Sequence, residues 1–269
     1  MSASIAAATA VTVGFPKTGF EIMTATFDID AYPDSVTLLP NGGTRQIVTT
    51  LDPNREFFDN GAGEGTTYVS HDSAIVTVDA NGLLRGVGEG TTTVTVINRW
   101  GEDQVQVTVM PAVVGDDVAV DSELGGIVEN ADGVQIAFGP GALTGDATVT
   151  INTLTEGELP IPMVGGTTGM FSFLGAFDLE VDGGEFNDTV QVAVPAGDAA
   201  PGDQVWFFTN LMLPLGENGE EIEVWTVIDS GTVDADGMAR VKSPPFPGLS
   251  KRGSVPSLLR CAPALGRSM

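Results

Sequence analysis

The residues of this 269-residue chain that could do chemistry are few and poorly grouped. His71 is the only histidine, so a His-rich zinc site and a His proton relay are both out of reach. A Ser-His-Asp triad fails on geometry. Asp72 and Ser73 are merely the sequence neighbours of His71, and adjacent side chains on a strand point to opposite faces. Carboxylates are numerous, with 36 Asp and Glu, but glycoside hydrolysis needs two of them across a cleft lined with sugar-stacking aromatics. There are only three Trp and two Tyr, and most of the thirteen Phe fall on strand alternation and read as core. The residues point to a protein that is not an enzyme.

Calcium is the one ion to consider. Asp182-Gly183-Gly184-Glu185, Asp234-Ala235-Asp236-Gly237 and Asp116-Asp117 place hard oxygens in turns, as calcium prefers. None extends into a twelve-residue EF-hand loop, and turn propensity alone explains Asp-rich hairpins. If an ion is bound, the preferred site is Asp116, Asp117, Asp121 and Glu123, where it would stiffen the join between two domains. No other cofactor is expected. Cys261 is the only cysteine, so no intrachain disulfide can form.

Charge narrows the partners. The formal net charge is −25, which argues against nucleic acid, since phosphate binding needs clustered Lys and Arg. Acidic faces keep extended proteins soluble and discourage self-association. Four of the 11 basic residues (Lys251, Arg252, Arg260 and Arg267) lie in the final segment 251–269, which holds no acid and reads as a flexible basic tail. No apolar run approaches the length of a membrane-spanning helix, and residues 4–13 lack the basic start of a good signal peptide.

The elements that must position these residues are strands. Gly (35) and Pro (16) are abundant, Thr and Val recur, and no amphipathic helix of ten residues is evident. Residues 4–14 read as a strand with Ile5, Ala7, Thr9, Val11 and Val13 on one face, broken by Gly14, Pro16 and Gly19. Such a strand must pair with something: the adjacent domain, a preceding domain or another subunit. Residues 28–112 contain seven short expected strands at 36–39, 46–50, 67–69, 75–78, 83–87, 91–97 and 104–109, as in a β-sandwich. Asp79-Ala80-Asn81-Gly82 and Asn98-Arg99-Trp100-Gly101 supply tight turns. Trp100, at a hairpin tip, is a candidate partner contact.

The stretch 70–96, SHDSAIVTVDANGLLRGVGEGTTTVTV, resembles the hallmark of bacterial Ig-like group 2 domains. Ile75, Val78, Asp79, Gly82, Gly86, Gly90, Val94 and Val96 hold the matching places. Ser35 to Leu39, followed by Gly43 and Gln46, matches the family's first two strands. Tyr68 stands where the family often has Trp. Residues 113–120 read as an acidic linker, and 121–250 as a second domain. Its opening, with Gly125-Gly126-Ile127-Val128 and Pro140-Gly141-Ala142-Leu143, resembles a ZU5-like β-sandwich, in which residues 177–195 would form the central hairpin.

These readings give an all-β chain of two tandem Ig-like β-sandwiches with an extra N-terminal strand segment over 1–27. The resemblance implies an extracellular or cell-surface location and a structural or adhesion module of a bacterial surface protein. Its partners would be other surface-protein domains, identical subunits, or a carbohydrate or host-cell ligand. The alternative is a subunit of an extracellular filament assembled by addition of the N-terminal strand to a neighbour's sheet.

Overall fold

The computed structural model describes residues 28–52, 56–57, 62–161, 171–215, 220–242, 248–249 and 258–266. The expected strand at 4–14 lies outside them. The chain is all-β: two three-residue 3-10 turns, Ala62–Glu64 and Glu156–Glu158, are the only helical elements among the described residues. No helix there is long and apolar enough to cross a membrane.

The first unit holds ten strands among the described residues. They are β1 (Asp28–Tyr32), β2 (Ser35–Leu38), β3 (Thr44–Gln46), β4 (Val48–Asp52), β5 (Glu56–Phe57), β6 (Thr67–Ser70), β7 (Val76–Val78), β8 (Leu83–Gly86), β9 (Gly90–Asn98) and β10 (Gly101–Val109). They form a four-stranded sheet in the order β2-β10-β9-β6, and two three-stranded sheets, β3-β8-β7 and β1-β4-β5. Within the larger sheet β2 runs parallel to β10, with Val36 opposite Val107 and Leu38 opposite Val109.

Alternation sets the inner face. Thr92, Val94 and Val96 on β9 are buried, as are Val105, Val107 and Val109 on β10. The valines meet Ile29, Ala31, Ile47, Val76 and Leu84 from outside that sheet in one core. The stretch 46–50, expected as one strand, is instead divided between β3 and β4, which belong to different sheets. The division falls at Ile47, whose side chain is fully buried and whose amide donates to the Gly82 carbonyl at 3.0 Å. Asp79 organises the turn before β8, its Oδ1 accepting from the Asn81 and Leu83 amides at 2.8 and 2.9 Å. Gly82 in that turn takes φ 82°, and a Cβ there would sit 2.6 Å from the Tyr68 ring.

The second unit comprises β11 (Val113–Val114), β12 (Val118–Val120), β13 (Gly126–Glu129), β14 (Gln135–Phe138), β15 (Ala147–Leu154), β16 (Phe171–Phe173), β17 (Ala176–Asp182), β18 (Gln191–Pro195), β19 (Gln204–Leu213), β20 (Ile222–Val233), β21 (Met238–Val241) and β22 (Leu258–Gly266). One twelve-stranded sheet joins them in the order β11-β13-β14-β18-β21-β20-β19-β22-β17-β15-β12, with β16 pairing beside β22. Val120, Ile136, Val149, Phe177, Val192, Phe207 and Ala239 come from strands far apart along it, yet share one core. The sheet is therefore folded face to face on itself. The Gly125 and Pro140-Gly141 stretches meet, since Gly125 packs against the Phe138 carbonyl and the Gly141 amide donates to the Ser122 carbonyl at 2.8 Å.

Three sequence expectations are corrected. Residues 113–120 are not a free linker: β11 pairs with β13 and β12 with β15, because four valines flank the acidic turn and find sheet edges. Residues 177–195 are not a hairpin. β17 pairs with β15 and β22, β18 with β14 and β21, so the chain between them crosses from one region of the folded sheet to another. The expected tail is paired over residues 258–266: β22 lies between β17 and β19, placing Cys261 opposite Phe177 and Thr209. Two neighbouring edges with unpaired amides and carbonyls outweigh its departure in composition.

Candidate functional site

A constellation of buried and half-buried polar groups lies where the two sandwiches meet. From the first unit come Tyr32 at the end of β1, Ser35 at the start of β2, and Thr44 and Arg45 on β3. From the second come the crossing segment 183–190 and Gln191 on β18. Arg45 is only 3% exposed.

Tyr32 donates its phenolic hydrogen to Asp188 Oδ1 at 2.6 Å, and its oxygen lies 3.1 Å from the Thr189 hydroxyl. Arg45 Nη2 donates to the same Thr189 hydroxyl at 3.4 Å. With the Gln191 amide oriented to satisfy both sides, its nitrogen donates to the Thr44 carbonyl and its oxygen accepts from Arg45 Nη1, each at 2.8 Å. Ser35 Oγ donates to the Pro140 carbonyl at 3.1 Å. Beyond the other end of β2, Gly42 faces the second unit. A Cβ there would lie 3.1 Å from Asp236 Oδ2 and 3.3 Å from Arg240 Nη2, so the loop approaches because it lacks a side chain.

The electrostatics follow from burial. Removal from water pushes the Tyr32 phenol up, and the neighbouring Asp188 carboxylate adds to it. Burial pushes the Arg45 guanidinium down, opposed by Tyr32, Asp188 and Asp229. Asp34, beside the joint, is raised by desolvation and by Asp30, Asp103 and Asp188. Thr37 Oγ1, Arg45 Nε and Gln135 Oε1 are buried without a protein partner. Their residues line two small voids of about 30 and 20 Å³ along the joint, room for single water molecules.

The residues singled out from sequence have their own surroundings. Asp117 Oδ1 accepts from the Thr150 hydroxyl at 2.6 Å, and Asp121 Oδ1 accepts from the Glu123 and Leu124 amides in its own turn. Asp116, Asp121 and Glu123 are exposed. No group of three or more His, Cys, Asp or Glu suited to a metal occurs among the described residues. In the 234–237 turn an arginine takes the place a cation would want: Arg240 binds both Asp234 and Asp236. Ile5, Ala7, Thr9, Val11 and Val13 lie outside the described residues. Trp100 is 38% exposed at the β9–β10 turn, its ring 4.7 Å under the Arg99 guanidinium and its amide held by Asn98 Oδ1 at 2.8 Å. His71 Nε2 lies 2.8 Å from the Thr95 hydroxyl, while Asp72 Oδ1 accepts the Ala74 amide.

Sequence reasoning missed the joint. Arg45 stands just before the expected strand at 46–50 and belongs to no motif, and Asn187-Asp188-Thr189 reads only as a glycosylation sequon. An arginine between Thr44 and Ile47 in an acidic chain was the available signal.

The fold and the joint define a class: an all-β chain of packed sandwiches with an Ig-like first unit. Within it, residues 29–109 match the family described as Bacterial Ig-like domain (group 2). No curated protein matches the chain. Among solved structures, domains 5–6 of the S-layer protein SbsC are similar at 16% identity and a TM-score of 0.27, over 80% of this chain and 95% of that one. The Yersinia pseudotuberculosis adhesin InvE is similar at 15% identity and a TM-score of 0.18, over 82% of this chain and 52% of that one.

Proposed function

We propose that this protein is a non-enzymatic structural or adhesion module of a bacterial cell surface, extracellular in location. The observation that carries the reading is the group 2 match over residues 29–109, a domain type that the sequence resemblance associates with bacterial surface proteins. The joint agrees with it, because its polar side chains are taken up by one another across the two units. Within this reading the second unit is a ZU5-like sandwich, supported by the meeting of Gly125 with the 138–141 stretch.

Surface labelling tests it. An antibody raised against the purified protein should stain intact source cells, and brief protease treatment of those cells should remove the signal. Detection only after lysis, in the soluble interior fraction, would sink the proposal.

A further inference from the structure

We infer that the two sandwiches tumble as one rigid body, held in a single relative orientation by the Tyr32–Asp188 and Arg45–Gln191 contacts. This goes beyond the surface-module reading and does not depend on it. The ordinary expectation for two domains in one chain is relative motion, unless the interface between them forbids it.

Here the contacts are distributed. Ser35 meets Pro140 at the start of β2, and Gly42 meets the Arg240–Asp236 pair beyond its end. Tyr32 and Arg45 come from strands of the other two sheets and meet the 188–191 stretch. A pivot about any one of these points separates the others. The covalent connection between β10 and β11 adds a further tether close by, since Val109 is paired to Leu38 at the end of β2.

The chemistry of the contact favours orientation over adhesion. Apolar surfaces slide past one another at small cost, whereas a buried guanidinium keeps its partners in only one arrangement. Arg45 is oriented by the Gln191 amide and the Thr189 hydroxyl, and the nearby Tyr32, Asp188 and Asp229 favour its charge. Rotation of the units would pull Arg45 away from Thr189 and Gln191, which belong to the other unit. Water in the two voids can satisfy Arg45 Nε and Thr37 Oγ1 without loosening the arrangement.

Spin labels decide the matter. Cysteines replacing the exposed Glu89 and Asp198, in a Cys261→Ser background, report the distance between the units by pulsed electron resonance. The otherwise unaltered protein should give one narrow distance distribution. Tyr32→Phe and Gln191→Leu should each broaden it, and Arg45→Met should at least double its width. A broad distribution in the parent, or an unchanged width in the folded Tyr32→Phe and Gln191→Leu variants, overturns the inference. Should Arg45→Met fail to fold, those two variants and the parent still separate the two outcomes.

Discussion

Arg240 grips Asp236 with both terminal nitrogens, at 2.6 and 2.9 Å, while the second of these nitrogens also reaches Asp234 at 2.9 Å. Hydrogen bonding to the guanidinium holds the Asp236 carboxyl below the usual carboxylate range. Arg240 is 8% exposed and Asp236 is 41% exposed, so the cost of losing the arginine falls below the roughly 3–5 kcal/mol typical of a fully buried pair. Arg240→Met should destabilise the second unit by about 2 kcal/mol, read as a lower midpoint in urea.

The same pair gives a pH signature. A depressed carboxyl stabilises the fold fully above its unfolded pKa, and that contribution is lost as pH falls through the folded value. The Arg240→Met variant keeps only the smaller part that comes from backbone amides such as that of Met238. The gap in melting temperature between parent and variant should therefore be widest near neutrality and close in acid. A gap that stays constant from about pH 7 to about pH 3 would contradict this assignment.

Gly82→Ala should cost more than a helix-surface glycine change. The left-handed φ alone costs about 1–2 kcal/mol for a residue with a Cβ, and the Tyr68 ring must also move. Denaturation of the first unit, followed through the near-ultraviolet signal of Tyr68 and Trp100, should show a loss of about 2 kcal/mol or more.

Phe138 is fully buried, and its ring stacks against Phe186 with centroids 6.2 Å apart. Truncation to Ala removes a large side chain from the folded sheet's core and should cost about 3–5 kcal/mol. A urea titration of the Phe138→Ala protein checks this. A cost under about 1 kcal/mol would mean that the core around β14 is not packed as described.

Calcium should have little effect on folding. Asp117 and Asp121 already accept hydrogen bonds from Thr150 and from turn amides, and Arg240 sits between Asp234 and Asp236, where a cation would bind. The melting temperature should shift by less than about 1 °C between EDTA and millimolar calcium, whereas a saturated structural site would contribute several kcal/mol.

Removing the first twenty or so residues separates the two assembly readings. A filament built by strand addition through Ile5, Ala7, Thr9, Val11 and Val13 would lose its polymers in electron micrographs. A surface module built from the two sandwiches alone would remain a soluble, unchanged species.

Much of the strand pattern was legible because one period explains it. Val94 and Val96 alternate with Thr93 and Thr95, and turn chemistry at Asp79 and Asn98 marks both ends of the segment. Pairing was less legible than position. Residues 177–181 and 191–194 look like two arms of a hairpin, since strand propensity does not say which edge a strand will find. The joint was hidden for a related reason. Tyr32 and Asp188 lie 156 positions apart, and no short-range motif links them.

The parallel pairing of β2 with β10 has a consequence for a chain pulled from its ends. The strand entered early and the strand left last lie side by side and point the same way. Tension drawing Ser35 backward and Val109 forward slides them along their shared length, so every rung from Ser35–Gln106 to Leu38–Val109 is strained at once. An antiparallel edge pulled from its open end would instead unzip rung by rung. Single-molecule stretching should therefore show the first unit yielding in one abrupt, high-force step.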